Sequence, residues 1–189
     1  GMSLGGNFAH EMAAQLEEQG EKVATLFLVD TMAIYPRTND EQKSKQELTF
    51  ELLNALADTE HPYTGPDKAN GEQLLDAIQA QWESVGMIPK GTPRSYFSKV
   101  VANSLMARSL TKDYTPRICQ TPIVFFKSTV TDGQQKEEWF DWQSYSGRPI
   151  TKYEVAAKHA EMLWQPNSYT LIARIVGQVV RNGSFDSSS

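Results

Sequence analysis

The sequence predicts an α/β protein with a mostly parallel sheet of about three strands. Residues 23–30 and 121–128 are apolar runs without alternation of polar and apolar side chains, which is typical of parallel strands buried on both faces. Residues 150–155 are predicted to form a third, short strand. Helical periodicity lies before, between and after these runs, as the crossover connections of a parallel sheet require.

Helices are predicted at both ends of the chain. Residues 4–18 place Phe8, Met12 and Leu16 on one helical face and end near Gly20. The last helix covers about residues 168–181, and we expect the mostly polar residues 184–189 to form a disordered tail.

A long helical block separates the first two strands. Residues 40–110 divide into three pieces with apolar residues at helical spacing: Leu48, Leu52, Leu53 and Leu56; Leu74, Leu75, Ile78 and Trp82; and Tyr96, Val100, Val101 and Leu105. Because the block is longer than a crossover needs, we interpret about residues 37–115 as a helical lid insertion within a single domain of residues 1–183.

Composition argues against several classes of function. The 189 residues carry a formal net charge of −5, which offers no basic surface for nucleic acid, and no apolar run approaches the ~18 residues of a membrane span. The single Cys119 cannot form an intrachain disulfide and no secretory signal opens the sequence, so we expect a cytosolic protein. The three histidines lack metal-ligand spacing, and we expect neither a metal nor another cofactor.

The first five residues, GMSLG, form the G-x-S-x-G pattern of a turn that presents a nucleophilic serine between a strand and a helix. The α/β-hydrolase fold places its serine, acid and histidine in that chain order, and Ser3, Asp30 and His159 occur in it. Asp30 ends the first predicted strand, and His159 lies between the last strand and the last helix. The motif also arises by chance, and Asp30 could equally be a helix cap or a turn residue.

Other residues could fill the same roles. Asp132 follows the second strand, where most α/β-hydrolases carry their acid, and is the alternative to Asp30. His10 lies within the first helix, too close in sequence to turn back on Ser3. His61 lies in a stretch rich in turn formers, where we expect it to be solvated.

Three stretches carry a family resemblance. GMSLGGNFAHEMAAQLEEQGEKVATLFLVDTMAIYP, WFDWQSYSGRPITKYEV and KHAEMLWQPN are similar to the serine turn, the loop and strand before the histidine, and the histidine loop of thioesterase domains. These are the domains that end nonribosomal peptide and polyketide synthetases. The resemblance is specific at the two ends of the chain and only general over residues 40–110.

The resemblance implies a partial α/β-hydrolase fold and a set of roles. The substrate would be an acyl or peptidyl chain held as a thioester on the phosphopantetheine arm of a carrier protein. Ser3 would be the nucleophile and His159 the base, and the match favours Asp30 over Asp132 as the acid. The backbone N–H of Leu4 would contribute to the oxyanion hole.

The sequence also departs from the family, because the strands that precede the serine turn and the loop that completes the oxyanion hole are absent from it. We expect the strand ending at Asp30 to present an open apolar edge, and therefore a homodimer or a partner chain at that edge. Two other functions stay open: a general esterase or lipase, and a non-catalytic interaction module.

Overall fold

A computed structural model describes residues 1–34, 47, 71–84, 86, 88–111, 114–130 and 137–182. The chain divides into two compact units, one of residues 1–36 and 114–189 and the other of residues 37–113. The first predicted helical piece and the polar tail fall outside the described residues, and the interpretation of residues 37–115 as a lid stays a prediction.

The first unit contains a parallel sheet whose described strands are arranged in chain order. Its elements are α1 (Leu4–Glu18), β1 (Leu26–Val29), β2 (Ile123–Ser128), β3 (Thr151–Val155) and the C-terminal helix Pro166–Asn182. Leu28 of β1 pairs with Phe125 of β2, and Phe126 pairs with Tyr153 of β3. The predicted strands and their parallel arrangement are therefore confirmed.

The central strand β2 explains why the sequence shows an unbroken apolar run there. All six of its residues are buried. Ile123 and Phe125 pack on one face of the sheet with Ala13 of α1, whereas Val124 and Phe126 pack on the other face against the C-terminal helix. A strand covered by helices on both faces has no side that favours polar residues.

Helix α1 packs on the sheet with its small and polar side. Its buried residues are Gly6, Asn7, His10, Ala13 and Ala14. The predicted stripe of Phe8, Met12 and Leu16 does lie on one face, but that face is exposed, with 49%, 63% and 39% of each residue accessible.

The residues before α1 correct one expectation from the sequence. The terminal amino group of Gly1 donates a hydrogen bond to the Phe27 carbonyl at 2.7 Å, and Met2 forms a parallel bridge with Val29. Val29 N–H donates to the Gly1 carbonyl at 2.8 Å, and Ser3 N–H donates to the Val29 carbonyl at 3.0 Å. The expected open edge at β1 is therefore wrong at these positions, because residues 1–3 already occupy it as a short parallel strand.

The second unit contains two described helices, α2 (Gly71–Ser84) and α3 (Arg94–Thr111). The C-terminal helix of the first unit, Pro166–Asn182, is therefore α4. Ile78 and Trp82 of α2 pack with Phe97 and Val101 of α3, which confirms the second and third predicted helical pieces. Trp82 and Phe97 meet edge to face, with ring centroids 5.4 Å apart.

None of the helices that the structure describes is long and apolar enough to cross a membrane.

Stability should depend on pH through His10. Its side chain is fully buried, its ring lies 4.9 Å from that of Trp142, and within the described part of the chain neither ring nitrogen makes a hydrogen bond of good geometry. Burial lowers the pKa of His10, and the Tyr145 carbonyl and the carboxylates of Glu11 and Glu17 offset only part of that effect.

In the unfolded chain His10 becomes protonated near pH 6.5, whereas in the folded chain it stays neutral to a lower pH. The free energy of unfolding should therefore fall as the pH drops below about 6.5. In His10→Phe this loss between about pH 6.5 and 5 should be absent, because nothing at that position titrates. Thermal unfolding of both chains at pH 7.5 and 5.5 measures the difference, and equal pH dependence in the two would contradict the assignment.

Candidate active site

Ser3 occupies a strained turn between the short strand of residues 1–3 and α1. Its backbone has φ 50° and ψ −135°, a conformation that a non-glycine residue adopts only when its surroundings enforce it. The hydrogen bond from Ser3 N–H to Val29 and the start of α1 at Leu4 supply that enforcement. Ser3 is thereby held beside the end of β1, where its N–H contacts the carbonyl of Val29, the residue before Asp30.

The glycines around Ser3 have different functions. A side chain at Gly1 would overlap the backbone of Gly5 and Gly6, and one at Gly6 would overlap the side chain of Thr31. Gly5 faces open space. Close packing therefore requires Gly1 and Gly6, whereas the second glycine of the G-x-S-x-G pattern meets no steric limit.

The backbone N–H of Leu4 lies at the first residue of α1. The first N–H groups of a helix have no acceptor within that helix, and they carry the positive end of its dipole. Leu4 is the first residue of α1, a position that suits an oxyanion, and its role in the oxyanion hole stays a prediction.

Asp30 lies directly after β1, and its carboxylate is completely buried. Its Oδ2 is 2.7 Å from Nδ1 of His159, and its Oδ1 accepts hydrogen bonds from Ser128 N–H at 3.0 Å and from Lys127 Nζ at 3.4 Å. Burial by itself would raise the pKa of Asp30, but the hydrogen bonds from His159 and Ser128 and the charge of Lys127 outweigh it, and the pKa is lowered. The buried carboxylate is therefore ionised at neutral pH.

His159 opens a 3₁₀ helix, His159–Glu161, between β3 and α4. With Nδ1 directed at Asp30, its Nε2 is the nitrogen left to accept a proton, and 40% of the side chain is exposed. The loop is anchored by the fully buried Met162 and by the Ser128 hydroxyl, which donates to the Ala157 carbonyl at 2.5 Å.

The structure thus brings Asp30 and His159 together and holds Ser3 at the same edge of the sheet. Among the hydrogen bonds of the described residues, none joins Ser3 Oγ to His159. Nucleophile–base contacts are often long in unliganded enzymes and tighten with substrate. The three catalytic roles stay predictions.

The structure also shows residues that support the acid and that sequence reasoning missed. Trp142 Nε1 donates to the Thr31 carbonyl at 2.7 Å, and Asn7 Nδ2 donates to the Met32 carbonyl at 2.9 Å. Together they hold the loop that follows Asp30, which itself has φ 42°. Lys127, which contacts Asp30 directly, was missed as well, although a charged residue inside an apolar run is a signal that could have identified it.

Of the residues that compete for the roles of acid and base, His10 is the one that the structure describes. Asp132 and His61 fall outside the described residues, so the structure does not compare Asp132 with Asp30. His10 is buried between α1 and Trp142, where it has no access to solvent. Within the described ranges, no group of His, Cys, Asp and Glu side chains could hold a metal ion.

Comparison with known proteins identifies similar chains. A family model described as "Thioesterase domain" matches residues 1–175. A dimodular nonribosomal peptide synthase of Bacillus subtilis (strain 168) is 25% identical over 182 residues, which are 93% of this chain and 7% of the synthase. The chain thus spans a small part of the curated relatives that it matches.

Two solved structures share the fold. A four-domain nonribosomal peptide synthetase bound to AMP and glycine superposes with a TM-score of 0.76 at 21% identity, over 94% of this chain and 14% of the synthetase. The Vlm2 thioesterase domain bound with a dodecadepsipeptide superposes with a TM-score of 0.63 at 18% identity, over 93% of this chain and 62% of that domain. The predicted α/β-hydrolase-type fold is confirmed by these structures and by the parallel sheet.

Asp30→Asn should destabilise the protein strongly, because it removes the charge that balances the buried Lys127 and leaves that ammonium unpaired. Breaking a buried pair from one side costs about 3–5 kcal/mol of unfolding free energy. Chemical denaturation measures this loss. Asp76→Asn is the matched control, since the Asp76 side chain is 65% exposed in its pair with Arg94 and such surface pairs contribute only about 0–1 kcal/mol.

The difference in unfolding free energy between the parent chain and Asp30→Asn should depend on pH. Because the pKa of Asp30 is lowered on folding, its stabilising effect is present above the ordinary carboxyl pKa of about 3.9 and is lost as the pH falls through the lower, folded value. The parent chain and Asp30→Asn should therefore converge in stability in strong acid. A constant difference down to about pH 2 would contradict the assignment.

Proposed function

The chain belongs to the thioesterase domain family, and we propose that it releases an acyl or peptidyl chain from the phosphopantetheine thiol of a carrier protein by way of an ester on Ser3. The observation that carries the proposal is the 2.7 Å contact between the buried, ionised Asp30 and His159 at the sheet edge where the strained Ser3 turn lies. A serine turn next to a histidine oriented by a carboxylate is the arrangement that activates a hydroxyl nucleophile.

In the acylation step, Ser3 Oγ attacks the thioester carbonyl while His159 Nε2 takes the hydroxyl proton. The carbonyl electrons move to its oxygen, where the Leu4 N–H donates a hydrogen bond. When the tetrahedral intermediate collapses, the C–S bond breaks and the sulfur receives the proton from His159. The chain is then an ester of Ser3, and the carrier thiol is free.

In the release step, His159 takes a proton from water or from a nucleophile within the chain itself. That nucleophile attacks the ester carbonyl, the bond to Ser3 Oγ breaks, and His159 returns the proton to the serine. Water gives a free acid, whereas an internal amine or hydroxyl gives a ring. Throughout, Asp30 keeps His159 in the tautomer with the proton on Nδ1 and stabilises its charged form.

The substrate class follows from the relatives. The bacterial relative is a nonribosomal peptide synthase, and one structural neighbour is a thioesterase domain bound with a dodecadepsipeptide. We therefore propose a peptidyl or acyl chain as the substrate and the carrier protein that bears it as the partner. We propose the cytosol as the compartment, which is consistent with the free thiol of the buried Cys119.

We also propose that the chain associates with a second copy or another chain at the edge formed by residues 1–3. The carbonyl of Gly1 and the N–H of Ser3 are directed at β1, so the alternation of a strand directs the backbone groups of Met2 away from it.

Ser3→Ala should abolish thioester cleavage. With an acyl chain on a pantetheine thiol as substrate, loss of the nucleophile should lower turnover by about 10⁴–10⁶-fold, or to the uncatalysed rate. Release of free thiol measures the reaction, and mass spectrometry after treatment with a fluorophosphonate should find the label on Ser3. Ser144→Ala is the control, because this exposed serine only donates to Asp141 within its own turn.

The two alternative functions give different results. Ready cleavage of p-nitrophenyl acetate without cleavage of the thioester would favour a general esterase. Equal background rates for the parent chain and Ser3→Ala, with no label on Ser3, would favour a non-catalytic interaction module.

Self-association at the short edge should appear as a dimer in sedimentation velocity experiments at increasing protein concentration. Because an interface made by the backbone groups of Met2 buries little surface, the monomer should dominate at low micromolar concentration. A monomer at all concentrations would contradict this part of the proposal.

A further inference from the structure

A lysine lies in the core beside the predicted acid. Lys127 is the fifth residue of β2, and its side chain is only 3% exposed. Alternation along the strand directs it to the same face as Ile123 and Phe125, which pack with α1 and Phe140. Burying an ammonium group at such a position is costly unless nearby groups compensate its charge.

Three groups compensate Lys127. Its Nζ is 3.4 Å from Asp30 Oδ1, 3.3 Å from the Ser128 carbonyl oxygen and 3.7 Å from the centroid of the Phe140 ring. A cation over an aromatic face is attracted by the electrons of the ring, most strongly where water is excluded. The ammonium is therefore held between the ring and the carboxylate.

The carboxylate of Asp30 divides its two oxygens between different partners. Oδ1 receives Lys127 and the Ser128 N–H, and Oδ2 faces His159 Nδ1. Because the carboxylate is planar, holding Oδ1 from one side determines the direction in which Oδ2 points.

We propose that Lys127 is a positioning residue for the acid–base pair: its ammonium group holds Asp30 Oδ1 so that Oδ2 stays directed at His159 Nδ1. The inference rests on the proposed function, in which Asp30 orients the base. Lys127 itself is too deeply buried to touch a substrate, so its effect passes through Asp30. It has a second effect in the same direction, because its charge helps to keep the buried carboxylate ionised.

The alternative is that Lys127 only stabilises the fold as half of a buried ion pair. The two roles differ in what a substitution changes. A purely structural lysine would affect melting temperature alone, whereas a positioning lysine changes kcat and its pH dependence in a chain that is still folded.

The test compares two variants of Lys127 with a control on the neighbouring strand. Lys127→Met keeps the length without the charge, and Lys127→Gln keeps a hydrogen-bond donor without the charge. Lys152→Met is the control, since Lys152 of β3 is 42% exposed and its carboxylate neighbour Glu137 is 3.9 Å away.

In Lys127→Met, kcat for the pantetheine thioester should fall about tenfold to a hundredfold with KM unchanged, because a misdirected acid affects the chemical step and not binding. The acidic limb of the profile of kcat/KM against pH should move to higher pH, because the pair of Asp30 and His159 loses a nearby positive charge that opposes its protonation. Lys127→Gln should recover most of kcat at neutral pH but keep the displaced limb. Lys152→Met should match the parent chain.

A spectroscopic measurement separates this inference from the proposed function. In chains labelled with ¹⁵N-histidine, the Nδ1 proton of His159 should give a downfield NMR signal from its hydrogen bond to Asp30, and the signal should shift or broaden in Lys127→Met but not in Lys152→Met. This readout needs no turnover, so it stands even if the thioester is not cleaved. Folded Lys127 variants with parent-like signals, kcat and pH profiles would overturn the inference, as would failure of both variants to fold, which would mark Lys127 as a stability residue.

Discussion

The carboxylate of Asp30 is the charge around which this end of the molecule is organised. A fully buried carboxylate is tolerated only if donors replace its lost hydration, and here three donors from two elements do so: Lys127 and Ser128 at the end of β2, and His159 after β3. Each of these donors is held in turn by the fold. The sheet register that sets β2 beside β1 therefore also sets the geometry of the acid.

Backbone strain is concentrated at the same place. Ser3 and Asp30 are the non-glycine residues with positive φ in the described chain. Val29, the residue before Asp30, pairs with Met2, the residue before Ser3. Val29 donates to Gly1 and accepts from Ser3, so one residue of β1 connects the serine turn to the residue before the acid. Strained residues persist only where surrounding contacts over-determine them. Here those contacts are the short strand of residues 1–3, the packing of Gly6 on Thr31, and the hydrogen bonds of Asn7 and Trp142 to the following loop.

The helices on the two faces of the sheet support the loops of Asp30 and His159 in different ways. On one face α1 brings Gly6 and Asn7 close to the acid loop, which is possible because its buried side consists of small and polar residues. On the other face α4 packs Ile172, Ile175 and Val179 against the sheet, and its Ser168 donates to the Glu161 carbonyl of the histidine loop. The helix with the larger apolar side thus anchors the loop of His159, and the helix with the smaller side chains approaches the loop after Asp30 closely.

The elements and their order could be predicted from the sequence alone, because both follow from local patterns. Periods of 3.6 residues predicted α1, α2, α3 and α4, and unbroken apolar runs predicted parallel strands. Chain order and family resemblance also singled out Asp30 and His159, which the structure brings into contact. Features that depend on neighbours distant in sequence became visible only in the tertiary structure. It showed that Phe8, Met12 and Leu16 face outward, that Gly1 and Gly6 are needed where Gly5 is not, and that residues 1–3 pair with β1. It also showed that Lys127, a charged residue within an apolar run, lies beside the carboxylate of Asp30. A pattern along the chain reports which residues prefer burial, but the partner that makes burial of a charge possible comes from another strand, and only folding brings the two together.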